Sequence, residues 1–252
     1  MRRQFLLAPI GALALAGSAF AAEPLPPPPP PAPIFTWTGI YIGGQAGYAW
    51  DQDSVSAFFP GPFLSTLPFA GTVSFTDKPE GFIGGGHVGY NLQINQWVAG
   101  IEGTVDGTTL TKGSVFSGFT ALQTNSPVQG SLGIRLGVAF DRVLLYARGG
   151  FAFAGIQNFY TTPIPFFINE EISRSRSGWT VGGGIQYALT DNWSIRGEYR
   201  YSDFGHFDDY PFAVLVNPFG TLLVQHHLTQ NQVQFGISYK FGTPPAPVVT
   251  KY

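Results

Sequence analysis

Along most of the chain apolar and polar residues alternate one by one, the period of a strand with one greasy face. Residues 232–241 are the cleanest example. Val233, Phe235, Ile237, Tyr239 and Phe241 fall on one side, and Gln232, Gln234, Gly236, Ser238 and Lys240 on the other. The same template fits segments 39–50, 81–92, 97–106, 129–140, 143–155, 178–189, 193–202 and 231–241. Each is about ten residues long, which suits a tilted strand crossing a bilayer. The greasy faces hold residues such as Ile40, Ile42, Tyr48 and Trp50, or Leu132, Ile134, Leu136, Val138 and Phe140; the opposite faces hold Gly, Ser, Thr, Gln and a few charges. A soluble sandwich turns its greasy faces inward and covers the outside with charge. Here the polar face is small and sparse, which suits a narrow interior. Aromatics gather at strand ends (Trp50, Tyr90, Trp97, Trp179, Tyr187, Trp193, Tyr201, Tyr239), as girdles at two bilayer interfaces require. The expected fold is all-β: an eight-stranded antiparallel up-and-down transmembrane β-barrel with lipid outside.

Connection lengths set the topology. Residues 93–96, 141–142 and 190–192 form short turns, whereas 51–80, 107–128, 156–177 and 203–230 read as long loops. Short turns lie in the periplasm and long loops outside the cell, so both ends of the barrel chain are expected on the periplasmic side. Before the barrel, residues 1–21 read as a cleaved signal peptide: Arg2 and Arg3, an apolar stretch 5–16, then Ala19, Phe20 and Ala21. Residues 22–36, with six consecutive prolines, read as a stiff periplasmic spacer. The barrel then spans 37–241, and 242–252 is a Pro-rich tail.

Composition narrows the function classes. Of 252 residues only 11% are charged, and there are 33 Gly, 23 Phe and no Cys. The absence of cysteine removes disulfide scaffolds, structural zinc sites and thiolate catalysis. A net charge of -2 with no basic run argues against nucleic acid as a partner.

The stretches 178–205 (GWTVGGGIQYALTDNWSIRGEYRYSDFG), 37–44 (WTGIYIGG) and 233–241 (VQFGISYKF) resemble the small outer-membrane surface-antigen family of alphaproteobacteria, related to opacity-type and OmpA-like eight-stranded barrels. The resemblance covers the chain after the proline run. It implies a surface-exposed outer-membrane protein with a porin-like or structural role, and no known reaction. It also leads to the expectation that no peptidoglycan-binding domain follows the barrel. The segment 242–252 departs from the pattern, because family members typically end at the aromatic of the last strand.

Alternation turns Glu102, Asp106, Arg135, Arg148, Arg196, Glu198, Arg200 and Lys240 inward, with His87, Tyr41 and Gln45 nearby. A barrel of eight strands has a lumen that side chains can fill, and buried charges persist only when paired. An ion-pair network that plugs the lumen is therefore preferred to a conductive filter. The partners expected are outer-membrane lipid and the barrel assembly machinery. The latter would read Val233, Phe235, Ile237, Tyr239 and Phe241 as its signal, as the family resemblance implies. No cofactor, metal or catalytic residue is expected.

Other features carry less. The glycines Gly84, Gly86 and Gly89 match GxGxxG spacing, but inside a strand, where close packing explains them better than dinucleotide binding. His226 and His227 are half a metal site on opposite faces of a strand, with no third ligand evident. A hydrolase reading would rest on His206, Asp208 and Asp209 at the rim. An adhesin or receptor reading would rest on the loop aromatics Phe58, Phe59, Phe63, Phe69, Phe207, Phe212 and Phe219, with a ligand and an oligomeric state that the sequence leaves open.

Overall fold

The computed structural model describes residues 35–59, 71–116, 120–162, 168–210 and 223–242. Its strands are β1 (Gly39–Phe59), β2 (Gly71–Asp77), β3 (Glu80–Ile94), β4 (Trp97–Thr108), β5 (Thr111–Phe116), β6 (Thr120–Phe140), β7 (Val143–Thr162), β8 (Ile168–Ala188), β9 (Trp193–Asp209) and β10 (Leu223–Lys240). Every pairing is antiparallel, and β1 hydrogen-bonds to both β10 and β3, which closes the sheet on itself.

These ten strands make an eight-stave barrel, because two staves are interrupted. Lys78 and Pro79 separate β2 from β3, and both halves pair with β1. Proline has no N–H for the ladder, and its carbonyl instead accepts the Asp51 N–H at 2.8 Å. Thr109 and Leu110 separate β4 from β5, and both halves pair with β6. Leu110 turns inward there and packs against Ala49 and Ile83.

The expected strands are present, but they run far past their expected ends. Much of what reads as loop in 51–80, 107–128, 156–177 and 203–230 is strand continuing above the membrane. Along β1 the inward positions Asp51, Asp53, Val55 and Ala57 remain buried. The outward positions become Gln52, Ser54 and Ser56, so the greasy face that betrays a membrane strand disappears while the ladder persists.

The burial pattern is inside out relative to a soluble protein. Phe82, Phe151 and Phe235 are 71%, 75% and 70% exposed, whereas Arg135 and Glu102 are 2% and 1% exposed. An apolar exterior continuous around the wall needs lipid, not water, as its solvent. Aromatic pairs mark its two rims: Trp193 with Tyr239 and Tyr239 with Phe241 at one end, Tyr48 with Phe82 and Trp179 with Tyr201 at the other. On β1 the bilayer band therefore ends at Trp50. The turns at the periplasmic end are tight, and Asn95 and Asp141 take positive φ there (55° and 52°), a conformation these two residue types tolerate.

Candidate functional site: a lumen filled in layers

Alternation places the inner side chains, and cross-barrel reach then decides their partners. The centre of the lumen is the Glu102 carboxylate on β4. Its Oε2 accepts from Arg196 Nη1 at 2.6 Å, Tyr41 OH at 2.7 Å and Arg135 Nη1 at 3.3 Å, while Oε1 accepts from Arg148 Nη1 at 2.7 Å. Glu198 on β9 is the second anion: its Oε1 accepts from Arg200 Nη2 at 2.7 Å and Arg148 Nη1 at 3.3 Å, its Oε2 from Tyr146 OH at 2.8 Å. Arg148 thus bridges both carboxylates. Further guanidinium donors reach neutral acceptors: Arg135 Nη2 donates to Gln186, Arg148 Nη2 to Ser131 and Arg196 Nη2 to Gln45. Arg135 further lies 3.7 Å over the Tyr146 ring, a cation–π contact. With His87 Nε2 2.8 Å from Ser238 Oγ on β10, side chains from every stave interlock across the bore. Glycine makes room for them: a Cβ on Gly43 would collide with the His87 ring, and one on Gly89 with the Tyr41 hydroxyl. Of the GxGxxG glycines on β3 this close packing holds for Gly89 alone; a Cβ on Gly84 or Gly86 would meet nothing nearer than 3.5 and 3.4 Å.

The structure brings six of the candidate network residues together: Glu102, Arg135, Arg148, Arg196, Glu198 and Arg200. Two are not among them. Asp106 makes no ion pair among the described residues; its Oδ1 accepts from Gln45 Nε2 at 2.7 Å, one step from Arg196. Lys240 sits too close to the periplasmic end to reach either glutamate, and its Nζ donates to the Thr36 carbonyl and lies 4.6 Å over the Phe35 ring. Tyr146, Gln186 and Ser131 belong to the network although the sequence reading passed over them. Their inward parity was available, but nothing local in the chain says which inward residues touch.

A second layer closes the periplasmic mouth. The segment before β1 folds under the barrel, and Trp37 is buried with Val98, Ala139, Leu144, Tyr146 and Ala188. Its N–H donates to Gln93 Oε1 at 2.8 Å and its indole Nε1 to the Asp141 carbonyl at 3.2 Å. Phe35 packs edge-on to Trp37 with centroids 5.1 Å apart. The boundary expected at residue 36 thus lies within a capping segment that includes Phe35 and Thr36.

A third layer crosses the extracellular end. His226 Nδ1 lies 2.8 Å from Asp53 Oδ2, and its Nε2 is 3.2 Å from Tyr160 OH. Tyr160 OH and Asn158 Nδ2 donate to Asp209 Oδ2 at 3.0 and 2.8 Å. Phe207 stacks on the imidazole with centroids 4.7 Å apart, and Arg176 lies 4.2 Å over Phe207. Asp51 is buried on the same inner face, and burial together with the neighbouring Asp53 pushes its carboxyl up to about 7, against the opposing pull of a Gln230 hydrogen bond. Burial, then Asp209, also raises the Tyr160 hydroxyl above its ordinary value.

The residues of the hydrolase reading do not converge. His206 and Asp208 face outward and Asp209 faces in, where it serves the His226 layer. Of the loop aromatics, Phe207 is buried against His226 and Phe58 is exposed, while the Phe59 side chain and Phe63, Phe69, Phe212 and Phe219 lie outside the described residues.

Residues 11–241 match the model of the outer membrane protein beta-barrel domain. The 31 kDa outer-membrane immunogenic protein of Brucella melitensis is 31% identical over 95% of this chain and all of its own length. The 25 kDa outer-membrane immunogenic protein of Brucella abortus is 30% identical over 93% of this chain and 94% of its own. The crystal structure of OprG from Pseudomonas aeruginosa shares the fold, with a TM-score of 0.51 and 14% identity over 82% of this chain and 97% of that one. An inside-out barrel, its polar lumen and these matches lead to one assignment: the chain belongs to the outer-membrane protein β-barrel family and resides in the outer membrane.

Proposed function

We propose that this protein is a structural surface barrel of the envelope and not a general diffusion pore. The observation that carries this reading is the Glu102 carboxylate, held by three arginines and a tyrosine in mid-lumen. A solute entering would have to displace buried side chains whose charges are paired only with one another, at a cost of several kcal/mol per orphaned ion. The Trp37 cap and the His226 layer oppose passage at the two mouths. The names of the relatives, immunogenic outer-membrane proteins, support display at the cell surface. On this reading the lipid bilayer is the main partner, and the last strand is the element that the assembly machinery engages.

The test combines two measurements. Purified barrel inserted in planar bilayers should show no steady conductance comparable to that of a sixteen-stranded porin. A deletion strain should show weakened envelope integrity, measured as detergent or dye sensitivity, without a defect in uptake of small solutes. Porin-like conductance would overturn the reading. So would loss of adhesion to cells or surfaces with an intact envelope.

A further inference from the structure

One cluster outside the lumen has no role in the barrel described above. Just above the Trp179 and Tyr201 pair, β9 breaks its alternation. Asp203 pairs with Thr229 and His206 with His227, so two residues of β9, Phe204 and Gly205, stand opposite Leu228 alone. Gly205 takes φ 74°, the left-handed conformation that glycine adopts without a Cβ penalty. The bulge has a consequence for side-chain direction. Residues three apart on a regular strand face opposite ways; here Asp203 and His206 both face outward, and Phe204 and Phe207 both stay buried. The outward side already carries His227. Sequence alone offered His227 no third ligand, and the bulge supplies two.

The three side chains are close together. The His206 and His227 rings stack with centroids 4.0 Å apart and 12° between planes. His227 Nε2 lies 3.5 Å from Asp203 Oδ1. Two ligand atoms of a tetrahedral zinc, each ~2.0–2.1 Å from the metal, are about 3.3 Å apart, so this pair already stands near the spacing of a shared ion. The carboxylate is oriented from behind, because the Gly205 N–H donates to Asp203 Oδ1 at 2.8 Å, the kind of outer hydrogen bond that fixes metal ligands. Access is open: the His227 side chain is 36% exposed and that of Asp203 20%.

We propose that Asp203, His206 and His227 form a surface site for a divalent transition metal of the zinc type, with water completing the coordination. Two imidazoles and one carboxylate suit such an ion better than calcium or magnesium, which take oxygen ligands. No three His, Cys, Asp or Glu side chains stand preassembled around a point among the described residues, and the two rings stack instead of converging. Binding therefore requires rotation of the exposed His206 side chain, which replaces a ring stack by a metal bridge between β9 and β10. The bound ion clasps the base of the last extracellular hairpin. This departs from the expectation of no metal that the sequence supported.

The experiment uses untagged barrel purified from outer membranes, stripped with chelator and titrated with Zn²⁺ in detergent. Calorimetry should give one ion per barrel, and Zn²⁺ should raise the unfolding temperature. His206→Ala and His227→Gln should each weaken binding at least tenfold and abolish the thermal shift. Asp208→Asn, an outward acid two residues from His206, should leave both unchanged. Heat-modifiable mobility verifies that each variant is folded. Absence of Zn²⁺ binding to the wild-type barrel, binding unaffected in the two histidine variants, or equal weakening by Asp208→Asn would overturn the proposal.

Discussion

Glu102→Gln isolates the central claim about the lumen. The change is nearly isosteric, and Tyr41 keeps an oxygen to donate to, yet Arg135, Arg148 and Arg196 lose the anion they share. Four buried arginines are then balanced by Glu198 alone. Removing one partner of a buried ion pair costs about 3–5 kcal/mol, because the other charge stays buried and unpaired. At roughly 2–4 °C per kcal/mol for a domain of this size, the unfolding temperature should fall by about 6–20 °C. The exposed pair of Arg142 and Asp191, 2.9 Å apart, serves as the reference, since an exposed pair contributes about 0–1 kcal/mol. Unfolding in detergent can be followed by the loss of the fast-migrating band as temperature is raised. Adding Arg135→Met to Glu102→Gln removes one orphan cation, so the double variant should recover about 0.5–3 kcal/mol relative to the sum of the single changes. A Glu102→Gln shift no larger than that of Asp191→Asn, or strict additivity with Arg135→Met, would refute the idea of a shared buried anion.

Three further outcomes are expected. Asp51 has a folded value near 7, well above an ordinary carboxyl at about 3.9; its contribution to stability is complete below the ordinary value and is lost as pH rises through about 7. Unfolding temperature should therefore fall between pH 5 and pH 8 in the wild type and fall less in Asp51→Asn; identical pH profiles would show that the Asp51 carboxyl is not raised by its surroundings. Trp37→Ala removes the centre of the periplasmic cap, at about 3–5 kcal/mol for a buried tryptophan; single-channel recordings should show brief openings absent from the wild type, while a silent trace would mean that the ion-pair layer alone seals the bore. Phe241→Ala should cut the amount of protease-protected barrel in outer-membrane fractions far more than Phe235→Ala, although Phe235 is the more exposed to lipid at 70% against 51%, and deletion of 242–252 should be harmless; the reverse ranking would place the assembly signal at the tail.

Much of this protein was legible without its structure, for a local reason. A strand with one face in lipid must alternate residue by residue, so period, face and number of staves are all written within about ten neighbouring positions. Leu132, Ile134 and Leu136 outside and Arg135 inside follow from that rule, and the structure places them so. The rule fails where its contrast fails. Above the bilayer the outward face of β1 turns polar at Gln52, Ser54 and Ser56, and the strand that continues from Asp51 to Phe58 reads as loop although its ladder with β10 is unbroken. Parity also fails where an extra residue enters the ladder: the Gly205 bulge turns His206 out beside His227 and Asp209 in, the reverse of what alternation counted from Tyr201 gives. Above all, alternation says which residues face the lumen and not which of them meet. Glu102 and Arg196 are 94 residues apart, and Asp53 and His226 are 173 apart. Those pairs depend on the stagger of the staves and on which of them oppose each other when the sheet closes. The same closure brings Trp37 under the mouth and leaves Lys240 below the glutamates it was expected to meet. Such distances are set by the whole circumference of the barrel, and no window along the chain contains them.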